Sequence, residues 1–431
     1  MRVVWLIPGS GEAFYCENCL RDYAMIGALR TLGHDVLMVP MYLPLSPEGD
    51  LRDNDAGASP LFFGGISVYL RQKWPLLARM PGWLRGWLDR PGLLKAAGRM
   101  SGMVNASDLK QTLISMLRGE EGRQAGELER LSDYLASTGA DAVVLSNALL
   151  LGLARRIKAR LKVPVACYLQ DEDEFIDALD DAGRQEVWAI VRERSLDVDL
   201  YIAASRYYAD KVAKVIQVPH ERMKVVYAGI AMSEYGPPRR AWPDPPVIGF
   251  LSRRSYVKGP DLLAEAFCRL KAQGRFPRLK LRLAGGMLAE DKSLERQMRR
   301  RLARAGVLGD VEFLPHMELP ARAEFLRGLS VLSVPQRVGE AGGRYVKEAL
   351  ACGVPVVQPE NGAFPELIGP TGGGLLFPPG DMDALTQQLA RVLTEPQLAE
   401  SLATRGRAGV AELFSAQRSA QELESLLLKL M

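Results

Sequence analysis

Cysteine and histidine are both scarce in this sequence. Its 431 residues include five cysteines and three histidines. An odd number of cysteines, scattered over a long chain, argues against a disulfide scaffold and predicts a reducing, cytoplasmic compartment. Histidine catalysis has few candidates, because only His34, His220 and His316 are present.

Long apolar runs and a strong net charge are also absent. No uninterrupted apolar stretch approaches the ~20 residues that span a bilayer. The N-terminus begins at once with the strand-like MRVVWLIP, without the charged, apolar and small-residue layout of a signal peptide. The net charge of +4 does not argue for a nucleic-acid partner. We therefore expect a cytoplasmic protein that binds no nucleic acid.

The length of the chain predicts two globular domains, each with its own core. Short β-rich segments alternate with helical segments such as Leu20–Leu32, which is typical of a doubly wound parallel α/β sheet. In the first half, the predicted strands are Val3–Ile7, Val36–Val39, Ala142–Leu145, Val163–Leu169, Leu200–Ala204 and Lys224–Tyr227. In the second half, they are Val247–Leu251, Leu279–Ala284, Val311–Leu314, Val331–Val334, Val354–Val357 and Leu375–Phe377.

The domain boundaries follow from the proline-rich stretch Gly236–Pro246, which we interpret as a linker. We predict an N-terminal domain over residues 1–236 and a C-terminal domain over residues 247–414. Residues 415–431 are predicted to form a helix that crosses back to the N-terminal domain. Residues 53–139 do not fit a minimal α/β domain and predict a helical insertion.

Three tryptophans alternate with basic residues inside this insertion, between Arg71 and Lys95. Helices that combine aromatic and basic residues can lie on anionic membrane surfaces. The alternative is a helical insertion whose tryptophans pack inward while the arginines extend to solvent. We favour this second interpretation and keep peripheral membrane contact through residues 71–95 as the alternative.

The most informative stretch of the chain is EAGGRYVKEALACGVPVV, from Glu340 to Val357. It has the pattern of a glycine loop, a helix and a short buried strand. Gly342 and Gly343 would direct backbone N–H groups toward an anion at the helix N-terminus. Glu340 would lie in the loop, with Glu348 about two turns further on. Two acceptors beside an anion site suit a ligand that carries both a diphosphate and hydroxyls, such as a nucleotide sugar.

With these residues, the chain resembles the retaining glycosyltransferases of family 4 (glycosyl transferases group 1), which have the GT-B fold. This fold has two Rossmann-like domains that face each other across a cleft. One family motif is a pair of glutamates separated by seven residues, here Glu340 and Glu348 before ALACGVPVV. A second is an arginine followed five residues later by lysine and glycine, here Arg253 and Lys258-Gly259. The resemblance covers essentially the whole chain and is strongest from residue 247 onward.

The resemblance implies that the C-terminal domain binds the donor. Arg253 and Lys258 would bind the diphosphate and stabilise the charge of the leaving group, as fixed cations can without a metal. The remaining implied donor contacts are the backbone of Gly342, Gly343 and Arg344 at the diphosphate, Glu348 at the ribose hydroxyls, Glu340 at hydroxyls of the transferred sugar, and Met317, with His316, beside the base.

The N-terminal domain would bind the acceptor. Gln170 would face the sugar, at the end of a strand where the family often places a histidine. Gln170 cannot act as a general base, but front-face retaining transfer needs none, because the leaving phosphate can take the acceptor proton. Gly11 and Asn18 would lie on the donor side of the N-terminal loop.

Two short motifs leave alternatives open. The run Asp171–Glu174 contains an Asp-x-Asp that resembles the metal-binding motif of the other glycosyltransferase fold, and such carboxylates can bind Mg²⁺ or Mn²⁺. We favour an acidic loop on the acceptor side. Cys16 and Cys19 form a CxxC that could be a zinc half-site or a redox pair. We favour small residues that fill a loop.

The sequence therefore predicts a retaining hexosyltransferase with a UDP- or GDP-sugar as co-substrate, no further cofactor and no metal. Its acceptor hydroxyl would belong to a glycan or a glycolipid. The alternatives are a non-catalytic protein that binds sugar nucleotides, or another GT-B enzyme such as an epimerase. A phosphorylase would carry a pyridoxal-phosphate lysine, and nothing in the sequence marks one.

Overall fold

A computed structural model describes residues 1–8, 17–41, 62–63, 106–239 and 241–431. The chain divides into two compact units. The first contains Met1–Tyr227 and Ala420–Met431, and the second contains Ala228–Ser419. Each unit is built around its own parallel sheet. In both units, helices connect the strands and cover the faces of the sheet.

In the first unit, a sheet of six parallel strands has the order β2-β1-β3-β4-β5-β6. Its strands are β1 (Arg2–Ile7), β2 (Asp35–Pro40), β3 (Ala142–Leu145), β4 (Val165–Leu169), β5 (Leu200–Ala203) and β6 (Met223–Val225). Its α-helices in the described residues are α1 (Glu17–Thr31), α2 (Ala106–Leu117), α3 (Ala125–Thr138), α4 (Ala154–Leu161), α5 (Glu172–Ile176), α6 (Asp181–Arg194) and α7 (Arg206–Ile216).

In the second unit, a sheet of six parallel strands has the order β12-β11-β10-β7-β8-β9. Its strands are β7 (Val247–Leu251), β8 (Lys280–Ala284), β9 (Val311–Leu314), β10 (Val331–Leu332), β11 (Val356–Pro359) and β12 (Gly374–Phe377). Its α-helices are α8 (Pro260–Ala272), α9 (Lys292–Arg304), α10 (Leu319–Arg327), α11 (Arg344–Ala351), α12 (Phe364–Thr371), α13 (Met382–Thr394) and α14 (Pro396–Leu413), and α15 (Ala416–Leu428) runs from this unit into the first.

The central strands of both sheets are continuous apolar segments because both of their faces are buried. Val3–Ile7 in β1 are fully buried between β2 and β3. In the second unit, β7 is buried along its whole length between β10 and β8. Such strands read as unbroken hydrophobic runs rather than alternating ones. The doubly wound α/β class predicted from the sequence is therefore confirmed.

The predicted strand Val354–Val357 lies two residues too early. Val354 is not in the strand, because its N–H donates to the carbonyl of Ala349 at 2.9 Å and closes the end of α11. Pro355 follows, and β11 begins at Val356. A proline favours an extended conformation in the residue before it. The sequence therefore indicates where the helix ends, but not where the next strand begins.

The predicted linker, Gly236–Pro246, does not lie at the observed boundary between the two units. Its described residues belong to the second unit rather than to a connection between units. The backbone N–H of Arg239 donates to the carbonyl of Cys352 at 3.2 Å, and its guanidinium donates to the carbonyl of Leu329 at 2.6 Å. That guanidinium also stacks on the Trp242 ring. The prolines therefore mark a segment that lies on the surface of a domain.

Of the predicted insertion at residues 53–139, the structure describes Phe62, Phe63 and the segment from residue 106, which includes α2 and α3. The basic and aromatic segment at residues 71–95 lies outside the described residues. Within the described part of the chain, the helices are all too short or too polar to cross a membrane.

Candidate active site

Lys258 and Glu340 form a buried ion pair beside the carboxyl ends of β7 and β10. Lys258 Nζ lies 3.3 Å from Glu340 Oε2, and the Tyr345 hydroxyl donates to the same oxygen at 2.9 Å. The Glu340 residue is only 1% exposed. Its other oxygen, Oε1, has no hydrogen-bond partner among the described residues. A buried carboxylate oxygen without a donor is costly, so this atom is suited to accept a ligand hydroxyl.

Two glycines allow the loops of this pair to approach each other. Gly259 has a φ of +72°, and a Cβ there would lie 2.2 Å from the carbonyl oxygen of Pro335. Gly343, with a φ of +56°, precedes α11, and a Cβ there would lie 2.8 Å from Leu367 Cδ1. Only glycine adopts these conformations in so little space. The structure thus brings together Lys258, Glu340 and the glycine loop.

Glu348, the second glutamate of the motif, lies at the centre of a buried polar cluster. Its Oε1 accepts from the Tyr235 hydroxyl at 2.8 Å and from Arg344 Nε at 2.9 Å, and its Oε2 lies 3.2 Å from Arg322 Nε. The Glu348, Arg322 and Tyr235 residues are fully buried. Burial and the charge of Glu348 raise the pKa of Tyr235, which therefore stays a hydroxyl donor.

This cluster changes how the predicted roles of Glu348 and Arg344 are understood. In the structure, both Glu348 oxygens interact with groups of the chain itself, and the Arg344 side chain is turned toward them. The predicted contact between Glu348 and ribose hydroxyls stays a prediction. What the geometry gives is an ion-pair cluster that fixes the first turns of α11 behind the glycine loop.

The predicted base-side residue Met317 is tied to the same cluster. Arg322 Nη1 donates to the carbonyl of Met317 at 3.2 Å, while its Nε faces Glu348. Burial and the positive charge of Arg322 lower the pKa of the neighbouring His316. An uncharged imidazole at neutral pH follows from this shift.

Arg253 is held by two carboxylates that lie before α9. Its Nε donates to Asp291 Oδ2 at 2.9 Å, and its Nη2 donates to Glu290 Oε1 at 2.6 Å. Its side chain is 43% exposed. These two contacts engage two of the five N–H donors of a guanidinium. Arg253 is therefore oriented by two carboxylates, while its predicted contact with a diphosphate stays a prediction.

In the first unit, Asn18 and Gln170 are brought together at the carboxyl end of β4. Asn18 Nδ2 donates to the Gln170 carbonyl at 3.3 Å, and Arg21 Nη1 donates to the side-chain oxygens of both residues at 3.3 Å. Arg21 also binds Asp22 and the carbonyl of Ser146. Gln170 is 2% exposed, so it belongs to a buried network that Arg21 organises.

The acidic run after β4 is also part of this network. Glu172 accepts from the N–H groups of Ala148 at 3.0 Å and Gln170 at 2.9 Å, and from the Tyr208 hydroxyl at 2.7 Å. Burial raises the pKa of Glu172, and these bonds offset it only in part. Asp173 binds Tyr208 and Lys211. Asp173 is thus paired with a lysine, while the metal-binding alternative for Asp171-x-Asp173 stays an alternative.

The sequence reasoning missed several residues that orient these sites. The burial of Arg322 could have been predicted, because this residue lies on the apolar face of α10 between Leu319 and Leu326. A buried arginine needs an acidic partner. No sequence pattern pointed to the roles of Tyr345 and Arg21. Gly11 and Cys16 lie outside the residues that the structure describes, and their predicted roles stay predictions.

Two family models match the chain. "Glycosyl transferases group 1" matches residues 237–409, and "Glycosyltransferase Family 4" matches residues 109–234. Among curated relatives, a D-inositol 3-phosphate glycosyltransferase of Jonesia denitrificans is 31% identical over 43% of this chain and 47% of its own length. A GDP-mannose-dependent α-(1-6)-phosphatidylinositol monomannoside mannosyltransferase of Mycolicibacterium smegmatis is 29% identical over 52% of this chain and 64% of its own length. The chain spans about half the length of the curated relatives it matches.

Solved structures resemble the fold over the whole chain. Sucrose-phosphate synthase from Thermosynechococcus elongatus matches with a TM-score of 0.70 at 18% identity, over 100% of this chain and 98% of that chain. Anabaena HepE in complex with UDP and glucose matches with a TM-score of 0.70 at 17% identity, over 100% of both chains. With two parallel six-stranded sheets in separate units, these likenesses confirm the predicted two-domain GT-B fold. The two family models match the chain one after the other, over residues 109–234 and 237–409, and they confirm the predicted resemblance to glycosyltransferase family 4.

Proposed function

We propose that this protein is a retaining glycosyltransferase that transfers a hexose from a nucleoside diphosphate sugar to an acceptor hydroxyl. The observation that carries the proposal is the buried Lys258–Glu340 pair beside a glycine loop, with Glu340 Oε1 lacking a partner among the described residues. A cation and an acceptor oxygen at one sheet edge match the two kinds of group on such a donor. The names of the relatives agree with this activity.

The diphosphate would bind at Lys258, with Arg253 oriented toward it by Asp291 and Glu290. Negative charge develops on the diphosphate as its bond to the sugar breaks. Cations fixed in place before the reaction stabilise that charge without reorganisation. The backbone of Gly342 and Gly343, before α11, would add N–H donors and the positive end of a helix dipole.

Glu340 would orient the transferred sugar. Its Oε1, which has no partner among the described residues, would accept a hydrogen bond from a sugar hydroxyl. Its other oxygen is fixed by Lys258 and Tyr345, so the carboxylate is held in one orientation. For transfer with retention, the acceptor hydroxyl attacks from the side that the diphosphate leaves. The leaving phosphate then takes the acceptor proton, so no protein base is required.

The acceptor is proposed to be a hydroxyl of a glycolipid, a glycan or a phosphorylated polyol. This extends to the chain what the relatives' names say, since one acts on inositol 3-phosphate and another on a phosphatidylinositol mannoside. In the first unit, the buried network of Arg21, Asn18 and Gln170 would fix the end of β4 on the acceptor side.

Donor binding is tested by thermal unfolding with UDP-glucose, GDP-mannose and ADP-glucose. A bound donor increases the free energy of unfolding by mass action, by about 2.7 kcal/mol at a hundredfold excess over its Kd, and so raises the unfolding temperature. The donor that stabilises the protein is then incubated with it alone, and release of the nucleoside diphosphate is measured. Stabilisation with slow release supports the transferase. Stabilisation without any release supports the non-catalytic alternative, and no stabilisation by any donor contradicts the proposal.

We also propose that transfer needs no divalent metal, because Lys258 and Arg253 would neutralise the diphosphate. Donor turnover should then be unchanged by EDTA, measured against the same reaction with added Mg²⁺. Loss of turnover in EDTA with recovery in Mn²⁺ would instead assign the diphosphate to a carboxylate-bound metal, with the acidic run at Asp171–Glu174 as the first candidate.

A further inference from the structure

Gln336 is a buried amide without a function in the site described so far. It lies in the loop that joins β10 to Glu340 and is 2% exposed. Neither its Nε2 nor its Oε1 has a hydrogen-bond partner among the described residues. Buried polar groups are nearly always paired in folded proteins, so an amide orphaned at both atoms requires an explanation.

The position of Gln336 supplies that explanation. The preceding residue, Pro335, packs its carbonyl against Gly259, which directly follows Lys258. Glu340, four residues further on, binds Lys258. Gln336 is therefore in the segment that links the two charged groups of the proposed donor site. In the same loop, Glu340 Oε1 also has no hydrogen-bond partner among the described residues.

A second buried amide of this sheet edge shows the contrast. Gln358, at the end of β11, is fully buried, and its Oε1 accepts from the backbone N–H of Val334 at 3.1 Å. Gln358 thus holds the loop after β10 in place. The side chain of Gln336 does not share this role within the described part of the chain, where its backbone N–H donates to the carbonyl of Val334 at 2.8 Å and its amide atoms have no partner.

We infer that Gln336 binds the sugar of the donor, as a specificity-determining residue beside Glu340. The inference rests on the proposed function. An amide both donates and accepts, and a sugar hydroxyl does the same, so hydroxyls can satisfy both of its atoms. Phosphate oxygens only accept and would leave Oε1 unpaired. The amide is therefore matched to the hexose and not to the diphosphate.

The test uses Gln336→Leu, which keeps the approximate size of the side chain and removes both orphaned atoms. The control is Gln358→Leu, which removes an acceptor that the backbone of Val334 needs. Unfolding temperatures are measured for the free proteins. Affinities are measured by calorimetry for two pairs of ligands, UDP-glucose with UDP and GDP-mannose with GDP.

Gln336→Leu should unfold at the wild-type temperature or above, whereas Gln358→Leu should unfold at a lower one. Gln336→Leu should bind the nucleotide sugar about tenfold more weakly, which corresponds to one or two lost hydrogen bonds. Its affinity for the corresponding nucleoside diphosphate, UDP or GDP, should not change. The inference is overturned if Gln336→Leu unfolds as early as the control, or if sugar nucleotide and diphosphate are weakened equally or not at all. If the wild-type protein binds no sugar nucleotide, the proposed function fails first, and this result is separate from the others.

Discussion

Glu340 and Glu348 show how one residue type serves two purposes within a single motif. Both carboxylates are buried, with exposures of 1% and 0%. Glu348 Oε1 accepts from Tyr235 and Arg344, and its Oε2 forms an ion pair with Arg322. Among the described residues, Glu340 has partners on one oxygen only. The number of partners around each carboxylate, rather than its burial, therefore separates a group that holds the fold from one that is ready for a ligand.

Replacing Lys258 with alanine should lower the rate of donor turnover while the protein stays folded. Loss of one fixed cation at the leaving group should cost about 3 kcal/mol in the transition state, by analogy with removal of an oxyanion donor. The measurement is kcat with the best donor, alongside the unfolding temperature. Lys292→Ala, an exposed lysine at the start of α9, is the control and should keep the wild-type rate. A wild-type rate in Lys258→Ala would remove Lys258 from the proposed site.

Replacing Glu348 with alanine should destabilise the second unit strongly. It would leave Arg322 and Arg344 buried without their shared counter-charge, and breaking such a buried pair costs about 3–5 kcal/mol. The free energy of unfolding in urea measures this. Glu312→Ala, which removes a surface ion pair with Arg282, should change it by less than about 1 kcal/mol. Unchanged stability combined with lost donor affinity would favour the ribose contact for Glu348 over the structural role.

At the scale of elements, the parallel sheets place the candidate residues at one edge and simple stabilising contacts at the other. The loops after β7 and β10 carry Lys258 and Glu340 at the carboxyl edge. Near the opposite edge, Asp310 precedes β9 and binds two lysines, Lys271 near the end of α8 and Lys280 at the start of β8. Among the described residues, the pair at the first edge keeps one carboxylate oxygen without a partner, whereas Asp310 near the second is bound by two lysines.

The Asp310 contacts predict a stability that depends on pH. The hydrogen bonds from Lys271 and Lys280 lower the pKa of Asp310 below its ordinary value of 3.8. The stabilisation is therefore present above pH 3.8 and is lost as the pH falls through the lower pKa of the folded state. Asp310→Asn should unfold at a lower temperature than the wild type at pH 7, and the difference should shrink as the pH falls through the lowered pKa of Asp310.

The control for this pH series is Asp383→Asn, since the Asp383 side chain is 92% exposed and pairs with Arg269 at the surface. Its unfolding temperature should follow that of the wild type at every pH. A difference for Asp310→Asn that is constant over the whole pH range would mean that lost packing, not the charge of Asp310, causes the effect.

Over the whole molecule, the sequence predicted the elements better than the contacts. Every predicted strand corresponds to an observed strand, because buried parallel strands are apolar runs between turns. The Lys258–Glu340 contact follows from motifs that lie at two strand ends. The cluster around Glu348 does not, since Tyr235, Arg322 and Arg344 come from separate segments and meet only after folding. Local patterns encode periodicity and turns, but they do not encode which buried charges become partners.

The last prediction concerns the basic and aromatic segment at residues 71–95, which lies outside the described residues. If the alternative interpretation holds and this segment lies on a membrane surface, the protein should adsorb to anionic vesicles, because each basic residue near such a surface contributes about 1 kcal/mol. The attraction should weaken with salt, since exposed charges are screened within about 10 Å at 0.1 M ionic strength. Co-sedimentation with phosphatidylglycerol vesicles at low and high salt measures it, with phosphatidylcholine vesicles as the control. Trp83→Ala should reduce the bound fraction if the tryptophans insert into the interface. If no protein sediments with the anionic vesicles at low salt, the tryptophans pack inside the protein, and an acceptor that is not embedded in a membrane becomes the better hypothesis.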